Sequence, residues 1–285
     1  MIRLLCIFIF LLCPVTASAQ SVLPNEKGIS VATTQDSLIR YNNFVESKGG
    51  DPLAITDFTA TPRSVVSLVL MMQALHLGGN KLPIEFYIGP NYARNLHEVR
   101  IGNAVIMGGD TWDTEQDFTL LMSDPIIEKG QFQKAIYGRA DNKRLMGLST
   151  VRELQHLVGV TGLAWTIDIE AFEQMKITKL VQAPMHKLHD KIILAGRADF
   201  GLLEPAAKNM REALPEGLAV VEGLSISLDH SRHFMVSTLH PNGAQTYDAL
   251  QRGLAIMKEK GLIQKAFTDC GFFNEELHSW RQLYP

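Results

Sequence analysis

The chain has 285 residues, and a hydrophobic content of 46% is ample for a large core. A formal net charge of −3 without any basic stripe excludes the electrostatic footprint of a nucleic-acid binder. Three cysteines in this length exclude a disulfide scaffold, so packing must supply the stability.

The first twenty residues read as a secretory leader. Arg3 is a short basic start, Leu4 to Cys13 is an unbroken apolar run, and Ala17-Ser18-Ala19 offers a small-x-small cleavage site. The run is about half of the ~20 residues a membrane-spanning helix needs. Leu12 precedes Cys13, where lipid attachment requires a small residue, so no lipid anchor is expected. Cleavage after residue 19 takes the charge from −3 to −4 by removing Arg3, and leaves Cys270 as the sole cysteine. The expected product is a soluble, exported, disulfide-free monomer of about 265 residues, enough for two lobes of ordinary size.

In chain order, Gln35 to Ser47 reads as a helix stopped by Gly49-Gly50-Asp51-Pro52, and Leu53 to Thr59 as the first strand. Pro62 suits a first helical turn, and Ser64 to Leu77 is apolar nearly all round, so that helix should be buried. Ile84 to Ile88 reads as a strand, Asn91 to Ile101 as a helix, and Ala104 to Met107 and Thr119 to Ile127 as strands. Beyond Lys134 the alternation resumes. Strands are expected at Val158 to Val160, Lys179 to Gln182 and Phe200 to Leu203, and helices at Ile167 to Met175, Met185 to Ala195 and Ala206 to Ala213. Leu218 to Leu228 and Phe234 to Thr238 read as extended. A long amphipathic helix over Gly243 to Lys260 and a helical tail from Leu262 to Trp280 follow.

Strand–helix alternation predicts an α/β protein with helices on both sheet faces. LHEVRIGNAVIMGGDTW (96–112) and LHDKIILAGRADFGLLEP (188–205) share one layout of helix, glycine, apolar strand and polar end. Two such copies predict two similar lobes facing each other across a cleft. Ligands of open α/β sheets bind at the carboxyl ends of the strands, which places Thr111 and Glu204 in that cleft. The C-terminal helices have no strands of their own. The chain is therefore expected to leave lobe one (20–132), build lobe two (133–226) and return over 227–285 through a second hinge strand.

Four anchors resemble type II periplasmic solute-binding proteins of the amino-acid ABC-transporter kind. They are Ala74-x2-Leu77-Gly78, Ser123-Asp124-Pro125, Gly196-Arg197-Ala198-Asp199 with Glu204, and His240-Pro241 followed by a long helix and Lys260-Gly261-Leu262-Ile263. The resemblance implies a two-lobed periplasmic-binding-protein-like II fold with two hinge strands. It also implies that Glu204 holds a ligand's ammonium group, and that an arginine seven residues before Ser123 clamps the carboxylate. That position is Gln116. A neutral amide reproduces neither the charge nor the fork of an arginine. A cationic or neutral polar solute is therefore expected over a free amino acid, unless Arg63 compensates.

Trp112 and Trp165 each follow a strand-end turn, where they can sandwich a ligand or simply pack a lobe. Thr111, Thr161 and Thr166 offer hydroxyls, and capping alone would account for Thr166. Asp57 and Thr59 stand at the end of the expected first strand. Asp110 and Asp113 crowd the loop of Gln116, as cleft groups or as solvated loop residues. His186, His189 and Asp190, and the pair His230 and His233, fall short of the three or four convergent ligands of a zinc site. No metal or cofactor is expected, and no phosphate loop, dinucleotide fingerprint or G-x-S-x-G motif occurs.

The expected function is capture of a small polar solute in the cleft for an ABC permease, by hinge closure. A membrane-sensor component is the alternative. A third reading is a dehydratase on the same scaffold: periplasmic cyclohexadienyl dehydratases resemble these proteins, and Glu204 could act there as an acid. Those enzymes use the arginine absent here.

Overall fold

The computed structural model describes residues 27–206 and 209–284. The expected leader, its cleavage site, Cys6 and Cys13 lie outside the described residues. No helix among the described residues is long and apolar enough to cross a membrane.

Along the chain run β1 (Ile29–Thr33), α1 (Gln35–Ser47), α2 (Arg63–Leu77), β2 (Ile84–Ile88), α3 (Tyr92–Arg100), β3 (Ile106–Met107), β4 (Thr111–Trp112) and β5 (Leu120–Met122). Then follow β6 (Phe132–Arg139), α4 (Lys143–Met146), α5 (Val151–Leu154), β7 (Gly159–Gly162), α6 (Thr166–Gln174), β8 (Leu180–Ala183), α7 (His189–Leu194) and β9 (Phe200–Leu203). The chain closes with β10 (Leu218–Leu228), β11 (Arg232–His233), β12 (Met235–Ser237), α8 (Gly243–Glu259), α9 (Leu262–Asp269), α10 (Glu275–Ser279) and β13 (Arg281–Gln282).

Two sheets divide these strands. The first has the order β2-β1-β3-β12-β5, parallel at β2-β1-β3 and antiparallel at β12. The second has the order β13-β10-β6-β9-β7-β8. A short ribbon of β4 and β11 stands apart from both. The chain crosses between the sheets through two neighbouring strands, entering by β6 and returning by β10. These pair antiparallel from Phe132–Leu228 to Arg139–Leu218, with a register shift between Val220 and Ser225. The Ser123 turn fixes the outward crossing, since its Oγ accepts from Phe234 N–H at 2.9 Å and donates to Asp124 O at 2.7 Å.

The helix read as apolar all round is the axis of the first lobe: every residue from Val65 to Leu75 of α2 is buried. Helix α8 crosses it at a close approach that only glycine permits. A β-carbon on Gly253 would lie 1.8 Å from Ala74 O, and one on Gly78 would lie 1.7 Å from Ala249 O.

Several expectations are corrected. The first strand is Ile29–Thr33, with Ile29, Val31 and Ala32 fully buried between β2 and β3. Residues 53–59 are not a strand: a 3-10 turn covers Pro52–Ala54, and Gln73 Nε2 donates to the carbonyls of Pro52 and Ile55. Proline lacks the N–H, and the side chain of Gln73 takes the carbonyls a ladder would have used. Over 206–213 the described structure is only a 3-10 turn at Met210–Ala213. The segment 227–285, expected wholly in the first lobe, divides. Helices α8 and α9 pack on α2, whereas α10 packs on β6 and β10, and β13 joins the second sheet beside Leu224 and Ser225. Leu277 anchors that last turn in a cluster with Ala135, Tyr137 and Val220.

Candidate functional site

Between the two sheets lies a cavity of 720 Å³. Tyr92, Trp112, Phe132 and Trp165 supply its aromatic wall; Arg63, Arg232 and Lys134 supply its cations, and Glu115, Asp168 and Glu204 its carboxylates.

Arg63 opens α2 and faces both sheets. Its Nη1 donates to the two carboxylate oxygens of Asp110 at 2.8 and 2.6 Å, and its Nε donates to Glu204 Oε1 at 2.8 Å. Asp110 follows the Gly108-Gly109 turn after β3 and is buried. It also accepts from Ser67 Oγ at 2.6 Å and from Arg232 Nε, while Arg232 Nη2 reaches the Asp110 carbonyl. Burial alone would raise the Asp110 carboxyl, but the charges of Arg232 and Arg63 outweigh it and hold the group well below the usual carboxylate range. Arg63 answers in kind: burial opposes its charge, and Asp110 and Glu204 together push its value up. Both guanidinium planes rest on rings, Arg63 at 5.1 Å from Phe132 and 5.3 Å from Phe272, and Arg232 at 4.3 Å from Trp112.

On the second sheet, Lys134 projects from β6 beneath Trp165, 4.8 Å from the ring. It donates to both oxygens of Asp168 on α6, at 2.8 and 2.7 Å, and both side chains are buried. Trp165 is seated by a close approach, since a β-carbon on Gly162 would lie 2.7 Å from the indole.

Of the residues singled out in the sequence, the structure brings Trp112, Trp165, Thr166 and Glu204 to the cavity wall. Thr166 is the first residue of α6 and not its N-cap; Trp165 stands at the N-cap and makes no side-chain capping bond to the helix. Thr111 does not line the cavity; it is fully buried, with its hydroxyl donating to His233 O at 3.2 Å. Thr161 is buried within β7, and its hydroxyl has no partner among the described residues. Gln116 is exposed outside the cavity, whereas its neighbour Glu115 lines it. Asp57 is exposed in the loop before α2 and pairs with Lys48 at 2.6 Å, so it takes no part in the cleft. Asp113 binds His230 Nδ1 at 2.8 Å. His233 is engaged by Ser123 O and Ser231 Oγ, both at 2.7 Å. Among the described residues, no group of three or more His, Cys, Asp or Glu could hold a metal.

Sequence reasoning noticed Arg63 and Asp110 separately and missed that they meet. It missed Arg232, Lys134 and Asp168 altogether. The signal for Lys134 was available: a lysine inside the run Phe132-Gln133-Lys134-Ala135-Ile136-Tyr137, in a strand buried along nearly its whole length, must carry its own counter-charge.

No family model matches the chain, and no curated protein sequence matches it. Solved structures do. A probable amino-acid ABC transporter extracellular-binding protein, ytmK from Bacillus subtilis, superposes with a TM-score of 0.57 at 13% identity, over 86% of this chain and 98% of that one. The periplasmic VFT2 domain of BvgS from Bordetella pertussis gives 0.57 at 14% identity, over 90% and 94%. The ancestral amino-acid-binding protein AncCDT-1, a precursor of cyclohexadienyl dehydratase, gives 0.55 at 15% identity, over 86% and 96%. Identities this low speak to architecture alone. Two sheets joined by paired crossing strands around a cleft, together with these superpositions, establish that the chain has the two-lobed type II periplasmic-binding-protein fold.

Proposed function

We propose that this protein is exported to the periplasm and captures a small polar solute between its lobes for delivery to an ABC permease. The lobes we assign are 20–132 with 227–269, and 133–226 with the terminal α10 and β13. The observation that carries the reading is the cavity itself. It has 720 Å³, an aromatic wall from both sides of the cleft in Trp112 and Trp165, and charged groups placed among them. Such a mostly apolar chamber with a few fixed polar groups is the usual form of a small-molecule site.

Binding, not catalysis, fits the charges. Each cation of the wall is held by a carboxylate: Arg63 by Asp110 and Glu204, Arg232 by Asp110, and Lys134 by Asp168. Glu204, the residue an acid–base reaction would call on, spends one oxygen on Arg63. The protein acts as a monomer and without a cofactor.

The test is a thermal-shift screen of sugars, polyamines, amino acids and organic acids on the mature protein, followed by calorimetry on each hit. A solute that binds one-to-one and loses affinity in Trp165→Ala supports the reading. Binding unchanged in both Trp112→Ala and Trp165→Ala refutes it. Delivery to a permease, as opposed to a membrane sensor, predicts that deleting the gene abolishes cellular uptake of the bound solute.

A further inference from the structure

We propose that His230 is a proton-operated latch between the lobes: when its ring is protonated it bridges Asp113 of the first lobe to Glu170 of the second, so the cleft closes more readily in acid than in alkali. The proposal adds a regulation to the cleft, and its bearing on solute capture rests on the function proposed above.

His230 sits in the loop between β10, the strand that returns from the second lobe, and β11. Its two ring nitrogens face carboxylates from opposite sides of the gap. Nδ1 is 2.8 Å from Asp113 Oδ1, in the turn after β4, and Nε2 is 3.3 Å from Glu170 Oε2 on α6. The ring is 20% exposed and the carboxylates are 30% and 43% exposed, so the cluster exchanges protons with solvent without unfolding.

Both carboxylates are held in place. Asp113 Oδ2 accepts from Ser231 N–H at 3.4 Å and from Ser231 Oγ at 3.2 Å. Ser231 Oγ also lies 2.7 Å from His233 Nε2, and His233 Nδ1 donates to Ser123 O at 2.7 Å, which anchors the cluster to the turn before the outward crossing. On the other side, Gln174 Nε2 donates to Glu170 Oε1 at 2.8 Å and leaves Oε2 for His230. Burial alone would raise the Asp113 carboxyl, but the hydrogen bonds from His230 and Ser231 outweigh it and hold the group below its ordinary value. Asp113 therefore stays ionised across the pH range in which histidines change charge.

A proton count gives the sign. Carboxylates only accept, and a neutral imidazole carries one N–H. With that N–H given to Asp113, Nε2 turns a lone pair on Glu170, and the contact across the gap is repulsive. Protonation puts an N–H on Nε2 and a positive charge between two negative ones, so the same contact becomes a charge-assisted tie. Only the approach of the lobes brings Glu170 to the ring, so the added proton favours closure, and the tie is lost as pH rises through the histidine range. The surrounding charges are matched elsewhere: Asp229 by Lys129, Arg232 by Asp110, and Lys134 by Asp168. Burial and the charges of Asp229 and Glu170 push the Tyr284 phenol up, so it stays neutral. His233 bonds to first-lobe groups and does not span the gap.

The test is small-angle scattering on the mature chain without added solute, at about pH 5.5 and about pH 8, for the wild type, His230→Gln and Glu170→Gln. Glutamine at 230 keeps a polar side chain that takes up no proton. Glutamine at 170 removes the second-lobe charge and leaves the His230–Asp113 bond in place. Neither position is in the core, so both variants should unfold in urea as the wild type does. The wild type should be more compact at the lower pH, with its closed-to-open ratio shifted about two- to fivefold, the worth of one partly exposed ion pair. Both variants should lose that dependence. A solute found by the screen should bind the wild type tighter at the lower pH by the same factor. A wild-type radius unchanged with pH, or a change that survives in either variant, overturns the latch. Because scattering is read without solute, that failure leaves solute capture standing, and a screen without hits leaves the latch standing.

Discussion

Arg63 and Glu204 lie 141 positions apart in the chain and meet across the cleft, Nε to Oε1 at 2.8 Å, tying the start of α2 to the end of β9. The Arg63 side chain is 13% exposed and that of Glu204 35%, so the pair is reached by water from the second-lobe side. A second tie spans the same gap, His230 Nε2 to Glu170 Oε2 at 3.3 Å. An ion pair between two separately packed bodies contributes to their relative position more than to the stability of either.

Glu204→Gln should accordingly change unfolding free energy little, by about 0–1 kcal/mol, as for other partly exposed pairs. It should shift the lobes toward an open arrangement. Small-angle scattering is expected to give a larger radius of gyration for the variant than for the wild type. Equal values would mean that closure rests on other contacts.

Asp110→Asn should do the opposite, costing folding rather than closure. It removes the charge that Arg63 and Arg232 share, and breaking a buried pair such as Asp110–Arg232 costs about 3–5 kcal/mol. Urea unfolding would read the loss directly. The pH dependence has a definite sign. The folded carboxyl is held below its unfolded value of about 3.9, so its contribution is complete above that pH and is lost as pH falls further. The difference in stability between wild type and variant should therefore be constant near neutrality and shrink below about pH 4.

The alternation that announces two α/β lobes was legible because buried helices and strands carry their periods in the sequence. The first strand was not. Ile29-Ser30-Val31-Ala32-Thr33 is short and preceded by a glycine, whereas Leu53-Ala54-Ile55-Thr56 is equally apolar, but its Ile55 and Thr56 carbonyls accept from the side chains of Gln73 and Lys265. In the site, residues at strand ends could be placed from local pattern, as Trp112, Trp165 and Glu204 show. Pairing could not. Arg63 and Asp110 are 47 positions apart, and Asp110 and Arg232 are 122 apart, so nothing local links them. Gln116 shows the same limit: a spacing rule located the position that the resemblance assigns to the clamp, but no local pattern showed that Arg63 and Arg232 meet at Asp110.

Lys134 and Asp168 offer a sharper energetic test because both are buried. Lys134→Met strands the carboxylate and should cost about 3–5 kcal/mol. The double variant Lys134→Met with Asp168→Leu removes both charges and should recover most of that loss, since apolar replacement of a whole buried pair is often neutral or stabilising. A double-mutant cycle by urea unfolding gives the coupling. Additive costs would show that the two side chains act independently.

Cys270 is 3% exposed, and burial pushes its thiol up to about 11, with its Sγ donating to Phe267 O at 3.4 Å. Only the thiolate reacts with alkylating agents, so at pH 8 the folded protein should react roughly a hundredfold slower than an ordinary thiol near 8.5, before access is counted. The ring packing of Phe267 and Phe272 lowers access further. Unfolding in urea should restore the ordinary rate. The linkage has the corresponding sign: with the folded value raised, the stability contribution is complete below about 8.5 and is lost as pH climbs toward 11. Cys270→Ser should flatten that part of the pH profile while costing some packing. Iodoacetamide labelling followed by mass spectrometry, with and without urea, decides the matter. Rapid labelling of the folded chain at pH 8 would show that the segment between α9 and α10 opens on the timescale of the reaction.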